Sequence, residues 1–330
     1  MTQLRAGLVG IGMMGRNHAR VLSSLDGVTL TAVADPAGDK HRMAGAAQVV
    51  PTVTEMIAAG IDLAVVATPT IYHLEAGLEL AAAGIPTLIE KPLATNADES
   101  RQLVEAFEAV GLVNAVGHIE RCNPALRALR TRLEAGEIGD IYQVATRRQG
   151  PFPNRIADVG VVKDLATHDI DLTAWVIQSP YAKVSAYTAH KSGRVHEDLI
   201  SITAQMADGT VVNHLVNWLS PLKERCTVVT GERGTYVADT LHGDLTLHEN
   251  GVIATEWEQV SSFRGVTEGN STRFAIPKPE PLRIQHESFR DAVLGLDAEI
   301  VTMREGMRTV VVADAAIEAA QQGCTVDVTA

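Results

Sequence analysis

The stretch DLATHDIDL, residues 164–172, brings together residue types that could do chemistry: three carboxylates and one histidine. Each residue of an α-helix turns by about 100°, so Asp164, His168 and Asp171 are predicted to share one side of a helix, while Asp169 points away from them. A histidine can accept a proton near neutral pH, because its unperturbed pKa is about 6.5, and a carboxylate one turn earlier can orient the imidazole ring. The stripe therefore suits a proton relay.

Two other interpretations of this stripe remain open. His168 and Asp171 could bind a divalent metal together with Asp164, but the sequence has no second histidine or cysteine pair at ligand spacing, so we predict no metal. The stripe could also be structural, either as the solvent-facing side of a helix or with its carboxylates in caps and ion pairs and His168 packed in a core. For Asp171 the structural and the functional interpretation are equally open.

The size and composition of the chain limit its class. Its 330 residues suggest two domains, and 46% of them are hydrophobic while 21% are charged. We find no charged-then-apolar leader and no apolar run of about eighteen residues, so we expect no membrane partner. The three cysteines, Cys122, Cys226 and Cys324, lie far apart, which favours a reducing compartment and a cytoplasmic protein. A formal net charge of −12 disfavours nucleic acid as a partner.

A glycine motif opens the chain. The apolar run RAGLVGI leads into G-I-G-M-M-G, in which Gly10 permits a tight turn, Gly12 leaves room for a pyrophosphate, and Gly15 lets a helix pack closely on a strand. The free N–H groups at the start of the following helix would face the phosphates. The residues predicted to bind a dinucleotide here are Gly10, Gly12, Met13, Met14 and Gly15.

Asp35 closes the next apolar run, VTLTAVAD, twenty residues after Gly15. An acid at this place accepts hydrogen bonds from the adenosine ribose hydroxyls and repels a 2′-phosphate. Pro36 and Ala37 follow, with no neighbouring arginine that could bind such a phosphate. The sequence therefore favours NAD over NADP as the cofactor.

Strands continue to alternate with helices, which predicts an α/β Rossmann domain with a doubly wound parallel sheet for residues 1–120. Ligands of such sheets lie at the carboxyl ends of the strands. Two predicted strands, 62–69 and 86–92, end there, and the side chains expected to border the cofactor are Thr68, Pro69, His73, Glu90 and Lys91. Glu90 could instead pair with Lys91, and His73 could be a packing residue.

Residues 121–330 have a different character and predict an α+β domain with a large, mostly antiparallel open sheet. Runs rich in β-branched residues are separated by turn sequences such as Ala-Asp-Gly at 207–209. The polar segment 261–281 is predicted to be a loop. Helices near 283–295 and 304–322 close the chain, and they could also pack back on the first domain. An exposed sheet face would be a liability in a monomer, so we expect a homodimer or homotetramer formed through it.

Three motifs in this order resemble the Gfo/Idh/MocA oxidoreductases: GxGxxG at the start, EKP at 90–92, and D-x-x-x-H at Asp164 and His168. A narrower resemblance links the chain to the branch that contains UDP-N-acetylglucosamine 3-dehydrogenases and related nucleotide-sugar dehydrogenases. It is carried by GHIERCNPAL (117–126), RRQGPFPNRIADVGVVKDLATHDID (147–171) and NWLSP (217–221). Cys122 stands where that branch is expected to have phenylalanine, which opens space beside its neighbours. The resemblance covers essentially the whole chain and implies an NAD-dependent dehydrogenase.

Oxidation of a secondary alcohol needs a hydride acceptor, a base for the hydroxyl proton, and a group that stabilises the developing alkoxide. A nicotinamide supplies the first. His168 is the best candidate for the base, Asp164 can orient its ring, and Lys91 can donate a hydrogen bond to the reacting oxygen. The resemblance assigns the same three positions to the catalytic site.

A nucleotide sugar also needs cationic donors for its pyrophosphate. Basic residues outnumber acidic ones between residues 121 and 163, although a plain surface-charge role is equally open for each arginine there. The candidates for substrate contact are Arg121, Asn123, Arg147, Asn154, Arg155 and His168. We expect oxidation of UDP-N-acetylglucosamine to its 3-keto sugar. The alternatives are a dehydrogenase of a free polyol or sugar, such as an inositol, and a catalytically silent nicotinamide-binding sensor or regulator.

Overall fold

The computed structural model describes residues 3–153, 159–251 and 267–329. The chain folds as two units. The first contains the residues up to Ile119 together with Pro279–Asp314, and the second contains Glu120–Lys278 together with Ala315–Thr329. The first unit therefore includes Pro279–Asp314, which lies far beyond the domain boundary predicted between residues 120 and 121.

The sheet of the first unit is parallel throughout its described part. Its strands are β1 (Leu4–Val9), β2 (Val28–Ala34), β3 (Gln48–Val50), β4 (Leu63–Val66), β5 (Thr87–Glu90) and β6 (Asn114–Gly117). They lie in the order β3-β2-β1-β4-β5-β6. This order is doubly wound, because the chain first runs outward from β1 to β3 and then in the other direction from β4 to β6. The predicted Rossmann fold is confirmed, although no sequence pattern indicated β3, which is too short to show a period.

Helices cover both faces of this sheet. In chain order, the helices of the whole described chain are α1 (Met13–Leu22), α2 (Val53–Ala58), α3 (His73–Ala82), α4 (Ala97–Ala109), α5 (Pro124–Glu134), α6 (Thr167–Ile177), α7 (Pro281–Val293) and α8 (Met303–Gln322). One apolar core joins α2, α3, α4 and the start of α8 and includes Phe107 and Met303. A second core joins α1 and α7 and includes Leu22 and Phe289. In the described ranges, no helix combines the length and the apolar character that crossing a bilayer requires.

The central strands of the first unit are buried on both faces, because their apolar runs are continuous and do not alternate with polar residues. All four residues of β4 and all four of β5 are buried. Since β1, β4 and β5 run in parallel, their carboxyl ends share one edge of the sheet. The glycine turn after β1, Thr68 after β4 and Lys91 after β5 are placed along that edge.

The second unit is built on a nine-stranded sheet in the described residues. Its strands are β7 (Ile141–Pro151), β8 (Tyr181–Ala189), β9 (Leu199–Met206), β10 (Val211–Asn217), β11 (Leu219–Gly231), β12 (Gly234–Asp239), β13 (Asp244–Gly251), β14 (Thr267–Arg273) and β15 (Val326–Asp327). The order is β14-β13-β12-β11-β7-β10-β9-β8-β15. Strands β7 and β10 pair in parallel, and the other neighbours pair antiparallel. The predicted mostly antiparallel sheet is confirmed.

The predicted loop 261–281 is wrong for part of its length, because residues 267–273 form the edge strand β14. Residues 261–266 lie outside the described residues. All side chains of β14 are at least partly exposed, so its polar sequence shows no buried alternation that could have indicated a strand. The backbone pairs with β13, and polar side chains suit an edge strand because they discourage pairing with further chains.

One face of the second sheet is buried and the other is exposed. In β9, for example, Ile200 and Ile202 are buried, whereas Ser201 and Thr203 are exposed. The helices α5 and α6 pack against this sheet, with α5 on β12 and β13 and α6 on β7. Assembly of a homodimer or homotetramer through the exposed face stays a prediction.

Candidate functional site

The glycine turn after β1 is tight in the way that its sequence predicts. Gly10 has a φ of +85°, which favours glycine, and a Cβ at Gly10 would lie 3.0 Å from the carbonyl oxygen of Ala67. A Cβ at Gly15 would lie only 2.1 Å from the carbonyl oxygen of Gly10. Helix α1 can therefore approach the turn closely only because both residues are glycines.

The start of α1 fits the phosphates of a dinucleotide. Gly12 is the N-cap and offers no side-chain cap, and no described protein atom lies within 4 Å of the place where a Cβ at Gly12 would stand. The first N–H groups of α1, beginning at Met13 and Met14, lie at the positive end of the helix dipole. This arrangement is a cradle that any larger residue at Gly12 would fill.

Asp35 follows β2 beside the same turn. Its carboxylate accepts hydrogen bonds from the Ile11 N–H at 2.9 Å and from the Ala37 N–H at 2.8 Å. Each carboxylate oxygen can accept more than one hydrogen bond, so Asp35 can still accept bonds from ribose hydroxyls. The two backbone contacts fix the carboxylate at the edge of the glycine turn.

His73, which the sequence suggests as a cofactor contact, is buried and lies between two backbone segments. Its Nδ1 is 3.0 Å from the carbonyl oxygen of Pro92, and its Nε2 is 3.1 Å from the carbonyl oxygen of Thr68. Burial lowers the pKa of His73, so the ring is neutral and donates to one of these oxygens at a time. His73 thus links the loops after β4 and β5 through its two ring nitrogens.

Glu90 is buried at the end of β5 and is bound on both of its oxygens. Oε1 lies 2.9 Å from His18 Nε2, and Oε2 accepts the backbone N–H of Lys91 at 3.1 Å. His18 Nδ1 in turn lies 2.8 Å from His286 Nε2. Of the two interpretations open for Glu90, the structure supports a local bond to Lys91, through the lysine backbone. The sequence gives little sign of His286, which is a histidine three residues before Phe289 on the buried side of a predicted helix.

The segment that carries Asp164 and His168 is not one regular α-helix. Residues Val162–Ala166 form a π-helical turn, and α6 begins at Thr167. The predicted 100° spacing of the stripe is therefore wrong for Asp164, since a π-turn holds more residues per turn than an α-helix. Asp164 is 5% exposed and His168 is half-buried, which excludes the solvent-facing interpretation of this helix.

The two carboxylates that follow His168 are both bound by arginines. Asp171 binds the Arg121 guanidinium with two oxygens, at distances that include 2.6 and 2.9 Å. Asp169 accepts a hydrogen bond from Arg148 Nε at 2.7 Å, and Arg148 also donates to Glu120 at 2.8 Å. The structural interpretation of Asp171 is therefore the supported one, and the Arg121 side chain, predicted to bind substrate, holds α6.

Arg147, a predicted substrate residue, lies on the exposed face of β7. Successive residues of a strand point to opposite faces, so Arg147 and Arg148 of β7 cannot both face α6. Arg148 does, whereas Arg147 lies on the exposed face, where its Nη1 is 3.2 Å from Glu224. The structure therefore places Arg147 and Arg148 on opposite faces of β7, with Arg148 on the side of α6.

Both polar groups of Asn123, a predicted substrate residue, bind protein backbone. It is buried as the N-cap of α5, where its Oδ1 accepts the Ala125 N–H at 3.0 Å and its Nδ2 donates to the Thr240 carbonyl at 2.9 Å. Asn154 and Arg155 lie outside the described residues.

Arg194, to which no sequence motif points, lies in a cluster with two aromatic rings. Its guanidinium carbon is 4.0 Å from the Phe152 ring centre and 4.9 Å from that of Trp218. Glu197, three residues later, accepts the N–H of Val162 at 3.0 Å. The loop that contains Arg194 therefore contacts the first residue of the π-turn that carries Asp164.

The comparison with known families decides the class of the protein. Residues 4–118 match the family described as "Oxidoreductase family, NAD-binding Rossmann fold", and residues 126–237 match the "GFO/IDH/MocA C-terminal domain". The chain belongs to the GFO/IDH/MocA oxidoreductases. It is an NAD-dependent dehydrogenase of this family, as the motifs of the sequence imply.

Members of the GFO/IDH/MocA family similar to this chain differ in their named substrates. An inositol 2-dehydrogenase of Acidiphilium cryptum is 33% identical over 275 residues, which cover 77% of this chain and 80% of that protein. A UDP-N-acetylglucosamine 3-dehydrogenase of Acidithiobacillus ferrooxidans is 32% identical over 176 residues, 52% of this chain and 54% of that protein. The solved structure of GenD2 from gentamicin A biosynthesis, in complex with NAD, is 26% identical with a TM-score of 0.83 and covers 100% of this chain and 97% of that one.

Proposed function

We propose that the chain oxidises a secondary hydroxyl of a sugar with NAD, and that its substrate is UDP-N-acetylglucosamine, converted to the 3-keto sugar. The motifs at 117–126, 147–171 and 217–221 support a nucleotide sugar, as does the similarity to the Acidithiobacillus ferrooxidans enzyme. Bound NAD supplies the hydride acceptor. The second candidate substrate is a free polyol, and the similarity to an inositol 2-dehydrogenase over 77% of the chain favours it.

We assign the acid–base work to three side chains. His168 takes the hydroxyl proton, Asp164 orients its imidazole, and Lys91 donates a hydrogen bond to the oxygen on which negative charge develops. The observation that carries this assignment is the anchoring of His168. The carboxylates one and three residues after it, Asp169 and Asp171, are each bound by an arginine, which keeps the helix in one place. A general base needs such a fixed position, because small displacements cost much of the rate.

For the pyrophosphate we propose Arg155 and Arg194 as the recognising cations. Arg121 binds Asp171 and Arg147 faces away from α6, so these two predicted candidates are replaced. Arg194 belongs to a loop that contacts the π-turn beside Asp164, and a guanidinium suits phosphate oxygens because it can donate in pairs. Substitution of Arg194 by Ala should raise KM for UDP-N-acetylglucosamine and leave KM for NAD unchanged.

The substrate is tested by incubating the protein with NAD and recording NADH absorbance. The panel contains UDP-N-acetylglucosamine, UDP-glucose, myo-inositol and scyllo-inositol. Turnover of UDP-N-acetylglucosamine, with kcat/KM at least tenfold above any inositol, supports the leading proposal. Turnover of the inositols alone would establish the polyol candidate. Binding of NAD without turnover of any compound would instead favour the silent sensor.

The roles of the three side chains are tested on the substrate that the panel identifies. Lys91→Ala and His168→Asn should each lower kcat by about 10²- to 10⁴-fold, which is the usual contribution of a positioned acid or base. Lys40→Ala, an exposed lysine in the same unit, is the matched control and should keep full activity. An unchanged kcat in Lys91→Ala would remove that residue from the mechanism.

A further inference from the structure

A chain of three buried titratable side chains lies behind Lys91 in the first unit. His286 of α7 contacts His18 of α1 at 2.8 Å, and His18 contacts Glu90 of β5 at 2.9 Å. His18 is 0% exposed, His286 is 1% exposed and Glu90 is 7% exposed. Buried polar groups at these distances form a hydrogen-bonded network. Its hydrogen bonds matter as well as its packing, because burying any of these polar groups without a partner would cost free energy.

The Glu90 carboxylate, at the end of this hydrogen-bonded series, packs closely against strand β6. A Cβ at Gly117 would lie 2.7 Å from Glu90 Oε1, so the neighbouring strand β6 leaves room for the carboxylate only by having glycine there. The other oxygen accepts the Lys91 N–H, which ties the network to the backbone of the lysine. The two imidazole rings meet edge to face, with an angle of 86° between their planes.

The network can exist in two proton states that keep both of its hydrogen bonds. In the first, His18 is neutral, donates from Nε2 to Glu90, and accepts at Nδ1 from His286 Nε2. In the second, His18 is an imidazolium and donates from both nitrogens, so His286 Nε2 accepts. The states differ by one proton, and the net charge of the network is −1 in the first and 0 in the second.

The pKa shifts of His286 and Glu90 indicate the charge at each end of the network. Burial, and then the proximity of His18, lower the pKa of His286 well below its usual value, so His286 is neutral. Burial by itself would raise the pKa of Glu90, but the bond to His18 and the charge of Lys91 outweigh it and lower this pKa, so Glu90 is ionised. Among the described residues, Lys91 and the neutral His73 also interact electrostatically with Glu90, buried His118 follows the Gly117 that pairs with Glu90, and an exposed Arg20–Glu280 pair joins α1 to α7.

We propose that His18 and His286 are positioning residues that hold the Glu90 carboxylate against the backbone of Lys91. His286 gives His18 Nδ1 a hydrogen-bond partner in both proton states, and His18 Nε2 in turn fixes Glu90. The inference rests on the proposed function only in assigning Lys91 to the chemistry.

Two substitutions of His286 separate this role from plain packing. His286→Gln keeps a side chain that can donate to His18 Nδ1, whereas His286→Leu fills the site with an apolar group. If His286 merely packs, Leu should be at least as good as Gln. If it positions, Leu should lower kcat by between about tenfold and a hundredfold. Gln should restore kcat, with KM for NAD unchanged in either variant.

A second measurement does not depend on turnover. In the wild-type chain labelled with ¹⁵N, we expect an imidazole N–H signal from His18 Nε2 that exchanges slowly with water, and we expect His286→Gln to keep it and His286→Leu to lose or shift it. His41→Leu, at an exposed histidine, is the matched control for both measurements. Absence of that signal in the wild type, or a Leu variant with wild-type kcat, overturns the proposal. Failure of the proposed function would appear differently, as the His18 signal in a chain that turns over no sugar.

Discussion

Asp169, the residue directly after His168, accepts a hydrogen bond from Arg148 Nε at 2.7 Å, and both side chains are 2% exposed. Burial by itself would lower the pKa of Arg148, but the carboxylates of Asp169 and Glu120 outweigh it and the pKa is raised. Arg148 is therefore a buried cation compensated by two carboxylates. It fixes the start of α6 to the sheet beside the proposed base.

Substitution of Asp169 by Asn should destabilise the fold strongly. Removing one partner of a buried ion pair leaves the other charge poorly compensated, which costs about 3–5 kcal/mol, and the remaining bond to Glu120 favours the lower end. Unfolding in urea, followed by circular dichroism, measures the change. The control is Arg101→Gln, which breaks the exposed pair with Asp98 on α4 and should cost about 0.5 kcal/mol or less. Equal losses in the two variants would contradict the prediction.

His214 should make the fold sensitive to acid. It is buried between Thr146 at 2.7 Å and Tyr181 at 2.8 Å, and burial, followed by the positive charge of Arg148, lowers its pKa to about 3. The unfolded chain takes up a proton near pH 6.5, so His214 contributes stability above that pH and loses about 1.4 kcal/mol for each pH unit as the pH falls toward 3.

The measurement for His214 is the slope of unfolding free energy against pH between about 6 and 4. His214→Gln should lose less stability over this range than the wild type. The two slopes should differ by about 1.4 kcal/mol per pH unit, which corresponds to the uptake of one proton. The matched control, His41→Gln, changes an exposed histidine and should keep the wild-type slope. Parallel curves for the wild type and His214→Gln would show that the proton uptake comes from other groups.

Two glycines of the first turn should respond differently to alanine. Gly15→Ala places a Cβ 2.1 Å from the Gly10 carbonyl oxygen, so it should lower the melting temperature even without cofactor. Gly12→Ala meets no described protein atom within 4 Å, so it should leave the melting temperature of the cofactor-free chain unchanged while weakening NAD binding by tenfold or more, about 1.4 kcal/mol. Calorimetric titration measures the Kd for NAD in each variant. An unchanged Kd for Gly12→Ala would show that the pyrophosphate does not bind beside Gly12.

Asp35 should determine the choice between NAD and NADP. Its carboxylate stands beside the glycine turn and repels a 2′-phosphate, so the double variant Asp35→Ser, Ala37→Arg should lose NAD affinity and gain NADP affinity. The ratio of kcat/KM for the two cofactors measures the switch, and a shift of at least tenfold is expected. Ala37→Arg alone serves as the control, since the retained carboxylate still opposes NADP.

Much of the first unit could be predicted from the sequence because its signals are local. The glycine spacing determines the turn, and the continuous apolar runs indicate buried strands, so the strand predicted over 86–92 is observed as Thr87–Glu90. Strand alternation works equally well in the second unit, where LISITAQMA at 199–207 alternates apolar and polar residues and the strand Leu199–Met206 is observed. Patterns of this kind depend only on neighbours within a few residues.

The partners of buried charges could not be predicted, because they depend on residues far apart in the chain. His18 and His286 are separated by 268 positions, and Arg121 and Asp171 by 50. The π-turn before α6 was missed for a different reason, since a helical period assumes 3.6 residues per turn throughout. Strand geometry alone places Arg147 and Arg148 of β7 on opposite faces, so only one of them can face α6.

The chain connectivity of the first unit has a consequence for biosynthesis. Phe289 and Met303 complete its two cores, yet both are translated after nearly all of the second unit. A nascent polypeptide that has reached only residue 120 therefore carries a cofactor-binding sheet with two apolar surfaces still uncovered. The ribosome must release residues to about Asp314 before that sheet can be closed, so Glu120–Lys278, the larger part of the second unit, emerges before the first unit is complete, and chaperones are expected to shield the waiting N-terminal part.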